Sequence, residues 1–464
     1  MNTYDIVIIG SGGGAKMALA LARLGRRVAL IEKDRAGGTC LNRGCIPSKM
    51  LIYPASLSEK IRAGHKLHID VDWRGVQLDT LTASINTYTD QTSEGIAGKF
   101  MEMENADYYQ GTARLLSNKV VQVENHQLSA DTIVIATGSR PYIPDWPGLH
   151  DTPYMTSTEA LRNRTLPKRL IVAGGGYIAT ELGGAYAGLG SDVTFLLRST
   201  FLKYEDQEIV DRFAKEFSKN KTIHEHTSVQ NVEWHEGVFT VQATASDGKS
   251  FTIEGDALLV ATGVVPNSDE LGLEQAGVKT NQNGFIEVDA YLQTSAPGIY
   301  AIGDVAGNYL FRHSVNFEVE YWVQAQCLED DPYPIEYPPM PSAVFTHPEI
   351  ASVGLTEEAA RAQGKDIIVG RADYTSVAMA LARGLDHGLV KLLVERTSGK
   401  LLGAHFLGEE AATMIQECVL AMTAGMTVDE MYRQVYIHPA FPEVVRNALR
   451  DVIRQRTPER AILF

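Results

Sequence analysis

Apolar residues in this chain gather into short, nearly continuous runs, each ended by glycine. Tyr4-Asp5-Ile6-Val7-Ile8-Ile9 reads as a buried parallel strand. Gly10-Ser11-Gly12-Gly13-Gly14-Ala15 follows, then a helix rich in Ala and Leu, then a second strand, Arg27-Val28-Ala29-Leu30-Ile31-Glu32. The order returns at Arg169-Leu170-Ile171-Val172-Ala173. There the turn is Gly174-Gly175-Gly176-Tyr177-Ile178-Ala179, the helix runs through Leu189, and the next strand is Ser191-Asp192-Val193-Thr194-Phe195-Leu196-Leu197. Strand, glycine turn, helix and strand make a βαβ unit, and this chain predicts two of them. Beyond about Ser342 the texture changes to strand-like segments, Gly388 to Val394 and Leu401 to Phe406. Apolar-faced helices then run over about 409–423, 428–435 and 444–454.

Each βαβ unit predicts a dinucleotide site. In the first, Gly10, Gly12, Gly14 and Ala15 form the phosphate-binding turn, and Glu32, about 20 residues on, is placed to accept from a ribose hydroxyl. In the second, Gly174, Gly176 and Ala179 form the turn, but the acid is replaced by Leu197, followed by Arg198 and Lys203. Loss of the acid removes repulsion toward a 2′-phosphate, and Arg198 offers a charge-assisted partner, so NADPH is expected over NADH. The alternative is that Arg198 is a solvated loop residue. Two further strands end alike, in Ala136-Thr137-Gly138 and Ala261-Thr262-Gly263, where small residues let the chain pass close to a cofactor. Asp304, after Gly303 at the end of another apolar strand, is placed to hold a polyol hydroxyl.

Between the first two strands and the rest lies Gly38-Thr39-Cys40-Leu41-Asn42-Arg43-Gly44-Cys45-Ile46-Pro47-Ser48-Lys49. A disulfide needs Cα atoms roughly 4.4–6.8 Å apart. Five residues of regular helix rise about 7.5 Å, so Cys40 and Cys45 cannot share one ideal helix. Gly44 relaxes the backbone, and Pro47 suits the first turn of a helix that begins near Cys45. At that N-terminus the free N–H groups would favour a Cys45 thiolate. The pair reads as a redox dithiol; as a metal site it would lack partners nearby, so no metal is expected. Cys327 and Cys418 read as small buried hydrophobes.

The 464 residues carry a formal net charge of −15, which argues against nucleic acid as a partner. No apolar run is long enough to cross a membrane, the first residues enter a strand without a signal-peptide layout, and a cytoplasmic protein is expected.

These motifs, in this order, resemble the class I pyridine nucleotide–disulfide oxidoreductases, the group of dihydrolipoamide dehydrogenase, glutathione reductase, mycothione reductase and mercuric reductase. The resemblance implies an α/β fold of two Rossmann-like, three-layer domains, binding FAD and NAD(P), plus a C-terminal α+β dimerisation domain. The implied limits are 1–148 and 271–341 for FAD, 149–270 for NAD(P) and 342–464 for the interface. It implies Gly10, Gly12, Gly14, Ala15, Glu32, Lys49, Thr137, Gly138, Gly303 and Asp304 at the FAD. It implies Gly174, Gly176, Ala179, Arg198, Lys203 and Gly263 at the nicotinamide cofactor. Cys40 becomes the interchange thiol and Cys45 the thiol that contacts the flavin. Lys49, paired with Glu181, becomes a cation beside the flavin. His438 and Glu443 become an acid–base dyad supplied by the neighbouring subunit of a homodimer.

The implied activity is dihydrolipoamide dehydrogenase-like: electrons exchanged between NAD(P)H, FAD, the cysteine pair and a dithiol or disulfide, on a small molecule or a lipoyl group. Tyr436, where dihydrolipoamide dehydrogenases usually have a histidine, and Leu197 depart from that pattern. The segments Cys45 to Ala55, His313 to Glu318 and Ile437 to Val445 look like the mycothione reductase branch, an NADPH-dependent reductase of a low-molecular-weight disulfide. A diaphorase or oxidase is a further alternative, against which the intact cysteine pair argues. The last residues, Ala461 to Phe464, carry no cysteine pair of the mercuric or large thioredoxin reductase type.

Overall fold

The computed structural model describes residues 1–459; Ala461 to Phe464 lie outside them. The apolar strand Asn2–Ile9 is the centre of a largely parallel sheet. Val28–Glu32 pairs on one side, with Ile6 opposite Val28, and His126–Ile135 on the other, with Ile9 opposite Ile135. Ile299–Ala301 also joins this sheet, alongside Ile133 to Ile135, and so brings Gly303-Asp304 to the same edge as the first glycine turn. Val7, Ile8 and Leu30 are fully buried, which is why these strands need no polar alternation.

The second βαβ unit builds a four-stranded parallel sheet in the order Thr222–His224, Asp192–Leu196, Arg169–Ala173, Ala257–Val260. An antiparallel three-stranded sheet, Thr227–His235, Val238–Ala245 and Ser250–Gly255, lies beside it. The short pair Ser139–Pro141 and Val264–Pro266 joins the two units.

The C-terminal part is a five-stranded antiparallel sheet in the order Pro341–Val344, Ile350–Gly354, Leu401–Leu407, Leu389–Glu395, Ile367–Asp373. Helices Ala411–Thr423 and Pro442–Arg456 cover it and share its apolar core. The middle helix expected to reach 435 ends at Tyr432, after a Thr427–Glu430 capping box that fixes its start. Cys418 is buried in the first of these helices and Cys327 closes the helix Arg312–Cys327. Among the described residues no helix is long and apolar enough to cross a membrane.

Candidate active site

The expected break between the cysteines is present. Gly38–Arg43 is one short helix and Cys45–Arg62 another, with Gly44 between them. Cys45 is therefore the first residue of its helix and Cys40 lies in the preceding one. Pro47 falls in the first turn, where its missing N–H costs nothing. Both thiols line one long cavity of ≈ 2960 Å³ that also reaches both glycine turns, Thr137-Gly138, Gly263 and Gly303-Asp304.

The electrostatics of the pair differ from the expectation for Cys45. Its sulfur donates to Cys40, and that hydrogen bond, with burial, pushes the Cys45 thiol up. The same bond draws Cys40 down to about 7; burial opposes it, and the Arg312 and Lys49 charges assist. The lowered thiol is thus Cys40, which takes the hydrogen bond from Cys45 and lies near the Arg312 and Lys49 charges.

Lys49 lies four residues after Cys45 and so faces the same side. Its Nζ is 2.7 Å from Glu181 Oε2 and 4.4 Å from the centre of the Phe345 ring. Glu181 Oε1 accepts the Phe345 N–H at 3.0 Å. The pairing depends on the close approach of helices Cys45–Arg62 and Tyr177–Leu189. A Cβ on Gly188 would lie 2.9 Å from the Ala55 carbonyl oxygen, and Ser58 Oγ and Arg62 both donate to the Gly188 carbonyl.

Both glycine turns lie in close approach to a neighbouring strand end. Gly10 has φ +100° and a Cβ there would lie 2.4 Å from the Ala136 carbonyl oxygen. Gly174 has φ +131° and its Cβ would lie 2.2 Å from the Ala261 oxygen. Both turns thus require glycine and open onto the cavity at a helix N-terminus, the arrangement that holds a diphosphate. Glu32 ends its strand facing the cavity, and its carboxylate accepts from Ser11 N (2.9 Å) and Asp34 N (2.9 Å), which fixes its orientation toward a ribose. Asp304 is pushed up by burial and, among the described side chains, accepts only from Ser139 Oγ, at 2.6 Å. Its carboxyl therefore has capacity for a further hydroxyl. Gly14, Ala15 and Ala179 lie in the packing behind the turns rather than on the cavity wall. These features fit a flavin dinucleotide at the first turn and a nicotinamide dinucleotide at the second. Arg198 and Lys203 line the second arm; Arg198 is exposed and makes no ion pair among the described residues.

His438 and Glu443 meet each other but not the cysteines. His438 Nδ1 is 2.9 Å from Glu443 Oε1, and Glu443 Oε2 accepts the Ala440 N–H at 3.1 Å. Burial pushes the Glu443 carboxyl up, but the His438 and Ala440 hydrogen bonds outweigh it and hold it low. Neither residue lines the cavity, and the His438 side chain is 72% exposed.

Sequence reasoning missed several residues of this site. Glu318, 0% exposed, accepts the Gly303 N–H at 2.6 Å and Tyr337 Oη–H at 2.6 Å, so it sets the turn that carries Asp304. Asn267 exchanges two hydrogen bonds with Thr137. Arg312 carries charge to Cys40. Their partners are distant in sequence, and only an acidic residue within an otherwise buried helix face marks Glu318.

Residues 4–326 match the model of the pyridine nucleotide-disulphide oxidoreductases, and residues 340–449 match the dimerisation domain of the same group. The chain is 39% identical to a mycothione reductase of Mycobacterium tuberculosis over 467 residues, covering 97% of this chain and 99% of the relative. It is 35% identical to a dihydrolipoyl dehydrogenase of Chlorobaculum tepidum, covering 97% of each. Among solved structures, the Cu(II) complex of the HOCl-induced flavoprotein disulfide reductase RclA from Escherichia coli superposes with a TM-score of 0.87 at 30% identity. That match covers 98% of this chain and 100% of the other. The chain therefore belongs to the pyridine nucleotide-disulphide oxidoreductases, flavoenzymes that use FAD and a nicotinamide cofactor, and its C-terminal sheet is the family's dimerisation domain.

Proposed function

We propose that the protein is a homodimeric, NADPH-linked reductase of a low-molecular-weight disulfide of the mycothione type, acting through Cys40 and Cys45. The observation that carries this reading is the paired thiols on the wall of a cavity that also reaches two separate dinucleotide cradles. The flavin, when bound, supplies a two-electron relay between the nicotinamide and the cysteine pair. Cys40, the thiol with the lowered pKa, attacks one sulfur of the substrate and expels the other as a thiolate. Cys45 then attacks Cys40 in the mixed disulfide, releases the second substrate thiol and restores the intramolecular disulfide. His438, oriented by Glu443, gives a proton to the leaving thiolate across the subunit interface. The exposure of Val435 (96%) and Ile437 (78%) beside His438 supports a surface completed by a second chain. Lys49, held by Glu181, keeps a positive charge beside the flavin-facing sulfur.

In this reading residues 1–148 and 271–341 hold FAD, 149–270 hold the nicotinamide cofactor and 342–464 form the interface. Leu197 in place of an acid, and an Arg198 guanidinium without an ion pair among the described residues, support NADPH over NADH. The cytoplasm, where thiols stay reduced, suits the chemistry. A second reading, oxidation of a dihydrolipoyl group by the same steps reversed, draws on the 35% identity to dihydrolipoyl dehydrogenase. Steady-state assays decide between them: NADPH and NADH, each with mycothiol disulfide, glutathione disulfide and lipoamide, and dihydrolipoamide with NAD⁺ and NADP⁺. Fast NADPH oxidation with mycothiol disulfide is expected. Turnover confined to lipoamide and NAD(H) refutes the first reading in favour of the second.

A further inference from the structure

Behind the cavity wall runs a hydrogen-bond chain that neither the cysteine chemistry nor the cradles use. Tyr177 opens the helix Tyr177–Leu189, lines the cavity and sits one turn before Glu181. Its ring stacks on Phe311, with centroids 6.1 Å apart and planes at 28°. Phe311 immediately precedes the helix Arg312–Cys327, which carries Glu318 behind the Gly303-Asp304 turn. The Tyr177–Phe311 stack therefore spans the cavity from the wall of the second glycine turn to the wall of the first.

The stack is tethered at one end. Tyr177 Oη–H donates to Glu205 Oε1. Ser352 Oγ donates to Glu205 Oε2 at 2.6 Å, and Ser342 Oγ reaches Oε1 at 3.4 Å. Both serines belong to the five-stranded C-terminal sheet. Behind Ser352, His405 places Nδ1 3.1 Å from Ser352 Oγ and Nε2 2.8 Å from the Leu355 carbonyl oxygen. A carbonyl only accepts, and the one Ser352 proton is directed to Glu205. His405, 1% exposed, thus has both ring nitrogens engaged, one at Ser352 and one at the Leu355 carbonyl. The neighbouring Asp206 carboxylate faces that imidazole. Burial, and then the Glu205 charge, push the Tyr177 phenol up, so it remains a donor.

We propose that Glu205 is a positioning residue: anchored in the C-terminal sheet through Ser352 and His405, it latches Tyr177 and sets how readily the Tyr177–Phe311 partition yields to the nicotinamide. The inference rests on the reading that the nicotinamide cofactor enters from the arm at Gly174 and Gly176. Displacing Tyr177 breaks a hydrogen bond to a carboxylate, and that cost is subtracted from cofactor binding. Weakening the latch removes part of it.

The test is anaerobic rapid mixing of the FAD-loaded dimer with NADPH and, separately, NADH, following flavin absorbance as a function of nicotinamide concentration. Glu205→Gln, Tyr177→Phe, their double variant and Ser352→Ala are compared with the parent. The half-saturating concentration is expected to fall about tenfold in Glu205→Gln and in Tyr177→Phe, with the limiting rate changed by less than about twofold. The double variant is expected to gain nothing further, because both changes break one interaction. Ser352→Ala, remote from the cofactor, is expected to move the same way by about threefold. If Glu205→Gln does not fold, Tyr177→Phe and Ser352→Ala and their combination carry the same cycle. Unchanged half-saturation, or fully additive effects, overturns the latch. A parent protein whose flavin neither nicotinamide reduces overturns both the latch and the reading beneath it.

Discussion

Removing Cys45 tests whether the pair, rather than the helix N-terminus, makes Cys40 reactive. The hydrogen bond from Cys45 is the largest influence on Cys40 and lowers it from 9.0 to about 7; burial opposes this, while Arg312 and Lys49 assist. A thiol with a pKa near 7 is roughly half thiolate at pH 7, against about 1% for one near 9, a difference of about 50-fold in the nucleophilic form. Cys45→Ala deletes the dominant interaction and leaves the two cations, so Cys40 is expected to rise most of that way. The assay is the pH dependence of iodoacetamide alkylation at Cys40, located by mass spectrometry. The parent is first reduced anaerobically by two electrons, and the variant is used directly. The parent profile should rise with pH and reach half its plateau near pH 7. The Cys45→Ala profile should shift toward pH 9, with alkylation at pH 7 slower by one to two powers of ten, about 10- to 50-fold. A variant that keeps its midpoint near pH 7 would refute the reasoning and return the effect to the helix terminus or the nearby cations.

Two further outcomes follow from the same geometry. His438→Ala should leave the dimer and bound FAD intact, as checked by gel filtration and the visible spectrum, yet lower disulfide turnover by ~10²–10⁴; near-normal turnover contradicts the proposed proton transfer. Arg198→Ala should raise the KM for NADPH about tenfold while leaving that for NADH within about twofold, as expected for one charge-assisted phosphate contact; equal changes with both cofactors would assign Arg198 to the solvated surface.

The parts of this fold legible in sequence are those whose information is local. The runs Tyr4 to Ile9 and Arg169 to Ala173 need only their own residues and the glycines after them to declare buried parallel strands. Cys40, Gly44, Cys45 and Pro47 likewise encode a helix break within eight positions. The sheet Thr227–His235, Val238–Ala245, Ser250–Gly255 carries no such signature in its sequence. Its strands are half exposed, so alternation replaces the unbroken apolar signature. The Lys49–Glu181 pair joins residues 132 apart, and Gly188 against Ala55 sets its register. Without the family resemblance, nothing near Lys49 names that partner. The lowering of Cys40 is not local either: it depends on the hydrogen bond with Cys45 and on the charges of Arg312 and Lys49, and Arg312 is remote in sequence.

The same distinction bears on why the proposed His438–Glu443 dyad lies apart from the thiols within one chain. The cradles are built within the βαβ units, so each glycine turn, acid and strand end reaches its position by local folding. His438 and Glu443 are also fixed locally, by the Ala440 N–H and the start of helix Pro442–Arg456, yet they remain outside the cavity that holds Cys40. A hydrogen-bonded imidazole flanked by exposed Val435 and Ile437 is the kind of surface a partner chain would cover. This segment lies in the dimerisation domain, so in the proposed homodimer a second copy would cover the exposed apolar side chains and bring the dyad to the thiols. On that argument acid–base function and assembly are one property of the C-terminal sheet, and disulfide turnover should be lost whenever dimerisation is, even with both cysteines and both cofactors in place.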